Sequence, residues 1–237
     1  AFGRLAAPDL DQMEEFLTDF GMVRSARTPT ALYMRGTGVD GFLHVTHLGE
    51  PRFIGVAFVA GHEDDLMTLS KLPSATGIEH MDEPGGGQRV RLTEPNGYQV
   101  EVIHGRQTLA PIAVARQEIN STKVPLNRKG ELMRIPAGPS RPHRIGHVVM
   151  GSPKMQETVQ WFRTTLGMVG SDDVYAGDKS NLIGSFNRLD RGDDYVDHHA
   201  FFCIQSPTAG TNHFSYEVQD IDDVVMGHAH LAKKNKY

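Results

Sequence analysis

Apolar residues recur at helical spacing in two parts of the chain. Leu10, Met13, Phe16, Leu17 and Phe20 fall on one face of a helix that Asp9 is suited to cap and Gly21 to end. Met155, Val159, Phe162 and Leu166 draw the same face again, closing at Gly167. Short alternating or apolar runs lie around them: Ala31 to Arg35, Phe42 to His47, Phe53 to Ala60, Gln88 to Leu92 and Tyr98 to Ile103. These predict strands. Glu94-Pro95-Asn96-Gly97 is a turn signal that launches the last of them, the strand carrying Glu101.

The pattern is duplicated. Pro8-Asp9-Leu10, Phe16-Leu17 and Phe20-Gly21-Met22-Val23 return as Pro153-Lys154-Met155, Trp161-Phe162 and Leu166-Gly167-Met168-Val169. Phe53 to Phe58, ahead of Asp64-Asp65-Leu66, return as Thr211 to Tyr216, ahead of Asp222-Asp223-Val224. The expected fold class is therefore α+β, built from four βαβββ modules in two halves. Residues 1–104 form the first domain, 105–142 a connecting segment rich in proline, and 143–237 the second domain. The fourth module is expected to be cut short, because its helix is the last element before Tyr237.

At 237 residues, with 39% hydrophobic and 22% charged content, the chain can bury sizeable cores. A formal charge of −5 and no Lys/Arg stripe argue against a nucleic-acid or anionic-membrane surface. No apolar run approaches the ~20 residues of a membrane span. The single cysteine, Cys203, lies in an apolar run and reads as a buried thiol in a reducing compartment, so a cytoplasmic location is the expectation.

Superposing the halves sets His147 opposite Phe2 and His213 opposite Gly55. Both histidines begin strands, and both are missing from the first half, so the shared scaffold has no need of them. If the strands lie side by side, the two imidazoles converge. A carboxylate on the last strand of the fourth module would complete a face of two histidines and one carboxylate, suited to non-haem Fe(II). Glu101, at the equivalent first-half position, reads as a remnant of duplication. His198-His199 adds a group able to move protons near neutrality. In a regular strand at most one of that pair can face the site, and His198 reads as structural. His44, His47, His62, His80, His104, His143, His228 and His230 are expected at surface or turn positions.

The duplicated modules, Gly146-His147-Val148-Val149, Asp197-His198-His199 and Asn212-His213-Phe214 resemble the two-domain type I extradiol ring-cleavage dioxygenases. These belong to the vicinal oxygen chelate superfamily, with the glyoxalases and bleomycin-resistance proteins. The resemblance covers essentially the whole chain. It implies two tandem glyoxalase-like domains, with metal at His147 and His213 and a third ligand, a glutamate, beyond Tyr237. It further implies Fe(II), or alternatively Mn(II), as cofactor and His199 as the acid–base residue. The implied reaction is cleavage of a catechol-type aromatic diol by O2, in aromatic hydrocarbon catabolism. Strand parity places Val149 and Phe201 on the substrate side, and the first half is expected to supply a homo-oligomer contact. Two other readings stand beside this one: a glyoxalase-like isomerase on the same metal scaffold, or a metal-free binding protein of the bleomycin-resistance type.

Overall fold

The computed structural model describes residues 1–114, 130 and 136–235. Most of the expected connecting segment, and any carboxylate beyond Tyr237, lie outside the described residues. In chain order the first half runs β1 (Phe2–Ala7), α1 (Leu10–Phe20), β2 (Val23–Arg27), β3 (Ala31–Arg35), β4 (His44–Leu48), β5 (Arg52–Val59), α2 (Glu63–Leu69), β6 (Glu79–His80), β7 (Gln88–Thr93) and β8 (Gln99–His104). The second half runs β9 (Arg144–Ser152), α3 (Met155–Leu166), β10 (Val169–Tyr175), β11 (Leu182–Arg188), β12 (Phe201–Gln205), β13 (Gly210–Glu217) and α4 (Ile221–Lys233).

Local chemistry sets the helix ends where the sequence predicts them. The Asp9 carboxylate accepts from the backbone N–H groups of Asp11 and Gln12, using two of the donors that a first helical turn leaves without partners. Gly21 closes α1 at φ +113°, a left-handed conformation that costs glycine nothing and a side chain about 1 kcal/mol or more. The Glu94–Gly97 turn closes through the Gly97 N–H on the Glu94 carbonyl at 2.8 Å.

The fold is α+β, with two sheets among the described residues. One has eight strands in the order β2-β3-β4-β1-β5-β8-β7-β6; the other has five, β10-β11-β12-β9-β13. The second order repeats the first five positions of the first. Register repeats as well: Phe2 pairs with Ala57 and Arg4 with Gly55, as His147 pairs with Ser215 and Val149 with His213. In the first sheet β8 lies parallel to β5, pairing Ala57 with Glu101. The corresponding side of β13 carries no strand among the described residues.

The largest core joins the halves. Val56, Leu66, Val90, Leu92 and Val102 pack with Val148, Met150, Met155, Phe162 and Phe201. Phe162 stacks on Phe201 with ring centroids 3.8 Å apart, and each such ring contributes roughly 2–3 kcal/mol by leaving water. A polar seam runs beside it: the Ser152 hydroxyl donates to Asn96, whose amide donates to Thr158, both at 2.9 Å. The turn that launches β8 is thereby tied to the start of α3. Among the described residues no helix is long and apolar enough to cross a membrane.

Candidate metal centre

β9 and β13 are antiparallel neighbours, and their pleat brings His147 and His213 to the same mouth of the second sheet. Their Nε2 atoms face each other at 3.3 Å. The Asn212 side-chain carbonyl accepts from His213 Nδ1 at 2.8 Å, which places the proton on Nδ1 and leaves Nε2 as the electron-pair donor. Desolvation, with His199 and His213 adding to it, pushes His147 down to about 4, so it is neutral at physiological pH. Two imidazoles with facing Nε2 atoms are poor partners for one another and good ones for a cation. Metal–nitrogen bonds of about 2.0–2.1 Å at 90–109° would separate two ligand atoms by about 2.8–3.4 Å. The observed spacing fits. Among the described residues no group of three or more His, Cys, Asp or Glu side chains is placed to hold a metal ion, so these two histidines are an incomplete set.

His199 lies against His147 with ring centroids 4.2 Å apart and meets the edge of Phe186 at 4.8 Å. Burial, then the neighbouring His198, lowers its pKa from the usual value. Residues 197–200 precede β12 and do not have regular strand geometry. The alternation expected for His198-His199 therefore does not apply, and both line the same open cleft, of about 240 Å³. His198 Nε2 donates to Asp172 at 3.0 Å, and its Nδ1 lies 3.1 Å from His199 Nδ1. His198, expected to be structural, is thus the middle of a chain from Asp172 to His199.

The same irregularity redirects the parity argument. Phe201 is fully buried on the α3 side of the sheet, stacked on Phe162, and faces away from the cleft. Phe202 takes the other face and stacks on Phe186 at 4.0 Å. Val149, paired with His213 across the ladder, is buried beneath the histidines and is not part of the cleft wall. Sequence reasoning missed a second group at the mouth. Arg144 donates to both Asp197 oxygens, at 2.7 and 2.8 Å, and contacts Glu217 at 2.6 Å. No spacing rule links residues so far apart in the chain.

The first half holds different chemistry at the equivalent place. Glu101, fully buried, accepts from Arg4 Nε at 2.6 Å, from Arg89 Nη1 at 3.1 Å and from Gln99 at 2.7 Å. Phe2, the counterpart of His147, is packed against Phe42. His44 and His47 are not the surface residues expected: His44 is buried and bonded to Thr46, and His47 Nε2 lies 2.7 Å from Arg4.

The chain is similar to curated proteins of named activity and to solved structures. Over 231 residues the chain is 26% identical to metapyrocatechase 2 of Cupriavidus necator, covering 97% of this chain and 68% of that protein. It is 25% identical over 179 residues to the manganese-dependent 2,3-dihydroxybiphenyl 1,2-dioxygenase of Geobacillus genomosp. 3, covering 70% of this chain and 53% of the relative. The chain is a homologue of the extradiol ring-cleavage dioxygenases. No family model matches it. The Mn(II)-bound glyoxalase from Novosphingobium aromaticivorans superposes on this dioxygenase homologue with a TM-score of 0.76 at 22% identity, over 98% of this chain and 69% of that one, which shows the shared fold. The dioxygenase homologue spans about two thirds of the first relative and about half of the second. One of these relatives is named as manganese-dependent.

Proposed function

We propose that the protein cleaves the aromatic ring of a catechol-type diol with O2, beside the diol, at a metal held by His147 and His213. The observation that carries this reading is the 3.3 Å approach of two Nε2 atoms, one fixed in its tautomer by Asn212, with the His199 ring tilted against His147 at 4.2 Å. Fe(II), with Mn(II) as the alternative, is the cofactor this donor set suits. When bound it supplies the positive charge that favours the ionised diol and a route for electrons from ring to dioxygen. The third ligand is a glutamate on a strand added beside β13. In the first half Glu101 lies on the strand beside β5, opposite Ala57, and Ala57 corresponds to Ser215, the register partner of His147.

His199 works as the proton carrier. Its lowered pKa keeps it neutral and able to accept a proton from the diol, then return it to the dioxygen-derived oxygen that is released when the O–O bond breaks. Asp172 and His198 hold that imidazole in one orientation. Phe186 and Phe202 form an aromatic stack beside His199 that excludes water from one side. Val149, buried next to His213, sets the floor beneath the histidines.

The test is visible absorbance of the full-length protein loaded anaerobically with Fe(II), as air is admitted with a panel of catechols. A yellow, pH-sensitive product is expected. Metal bound without colour would favour the second reading, a glyoxalase-like isomerase, which the superposition on the Mn(II)-bound glyoxalase motivates. Failure to take up any metal would favour a binding protein. A homo-oligomer contact on the first half belongs to the same proposal, and sedimentation as a stable monomer would remove it.

A further inference from the structure

The cleft wall beyond the histidines is built of charge. Its lining is Arg144, Gly146, Ser215, Tyr216 and Glu217 on the β9/β13 side, and Asp197, His198 and His199 on the approach to β12. Arg144 meets Asp197 in a two-point fork and is shared with Glu217 through the same Nη2. Fork geometry of this kind is directional and strong for a partly exposed pair. The hydrogen bond from Arg144, then its charge, holds Asp197 below the usual carboxylate range, so the carboxylate is ionised at neutral pH. By formal count this wall has one guanidinium and two carboxylates. Its cation is committed to both, and the Asp172 carboxylate stands behind His198.

We propose that this clamp selects the substrate by charge: the ring the protein accepts carries a neutral or cationic substituent, and acidic catechols are rejected. The proposal rests on the catechol reading above. Arg144 precedes His147 by three residues on β9, about 10 Å along a strand. That reach puts the clamp beside the far end of a ring whose diol lies at the histidines. A carboxylate there meets two like charges and an arginine already engaged. An amine finds Glu217 half-exposed, with its charge only partly neutralised. An alkyl or aryl group displaces water without losing a hydrogen bond.

Three catechols of similar size separate these cases: 4-ethylcatechol, 3,4-dihydroxyphenylacetate and 3,4-dihydroxyphenethylamine. With the full-length protein and Fe(II), kcat/KM for the acid should be at least about tenfold below that of the ethyl compound, with the loss in KM, and the amine at or above it. Glu217→Gln should raise the acid-to-ethyl ratio about tenfold and lower the amine-to-ethyl ratio. Asp197→Asn, which frees the fork itself, should move the ratios in the same direction. Equal use of acid and ethyl compound, or ratios unmoved in both variants, would overturn the proposal. Anaerobic calorimetry of the three compounds gives the same ratios as binding constants. If no compound is ring-opened, the cleavage reading fails alone. The charge preference then stands or falls on whether the acid binds at least tenfold more weakly than the ethyl compound.

Discussion

Arg4 Nε donates to Glu101 Oε1 at 2.6 Å in the interior of the first half, at the register position where the second half carries Val149 rather than a cation. The buried carboxylate is satisfied by protein cations, Arg4 and Arg89, so the first half has no vacancy for a metal. What reads in the sequence as a remnant of duplication is a closed ion network. Removing one partner strands the other in a dry site. Arg4→Met should lower stability by about 3–5 kcal/mol, while Arg4→Met with Glu101→Leu should recover a good part of it. Equilibrium denaturant unfolding of the three proteins measures this. A single variant as stable as the parent would show that the pair contributes little.

The second half should separate metal retention from turnover. His147→Ala and His213→Ala are expected to weaken Fe(II) binding by more than about 100-fold. His199→Ala should keep the metal and lose about 10²–10⁴ in kcat. Metal content after gel filtration, with single-turnover rates, reads both. Loss of metal in His199→Ala would make it a ligand rather than a proton carrier.

Acid should destabilise the fold through His44. Burial pushes this residue down to about 4, against an ordinary value of about 6.5 in the unfolded chain. Between those values the unfolded state binds the extra proton. The contribution is therefore complete above about pH 6.5 and is lost as pH falls toward 4, on the order of 3 kcal/mol in all and roughly 2 kcal/mol at pH 5. His147, also pushed down to about 4, acts with the same sign. Unfolding free energies of the parent and His44→Asn at pH 7 and pH 5 should show a smaller pH loss in the variant. Equal losses would sink the assignment.

Gly55, the counterpart of His213, cannot take a side chain: a Cβ there would collide with the Gln99 backbone carbonyl on β8. Gly55→Ala should cost about 1–3 kcal/mol, or more if β8 cannot shift. His213 meets no such constraint, because no described strand lies on that side of β13. A thermal midpoint unchanged in Gly55→Ala would show that β8 yields easily.

Much of the fold was legible in the chain. Asp9 and Gly21 bound α1, and the Glu94–Gly97 turn precedes β8, because caps and turns are local chemistry read over four or five residues. The duplication was legible too, since a repeated apolar pattern needs no third dimension. So was the pairing of β9 with β13, which followed from the repeat and brings His147 toward His213.

Only the tertiary structure decided what those residues face. Alternation failed at His198-His199 because the chain is not a regular strand there, and Phe201 turned to the α3 core while Phe202 took the cleft side. Arg4 and Glu101 went inside because each satisfies the other across 97 residues, and Arg144 meets Asp197 across 53 residues for the same reason. His44 went inside with a partner only two residues away, Thr46, because the start of its strand is covered. Periodicity specifies which side of an element is apolar. Which polar group is paid for by a distant partner depends on the register of whole sheets, and that is set only when the chain folds.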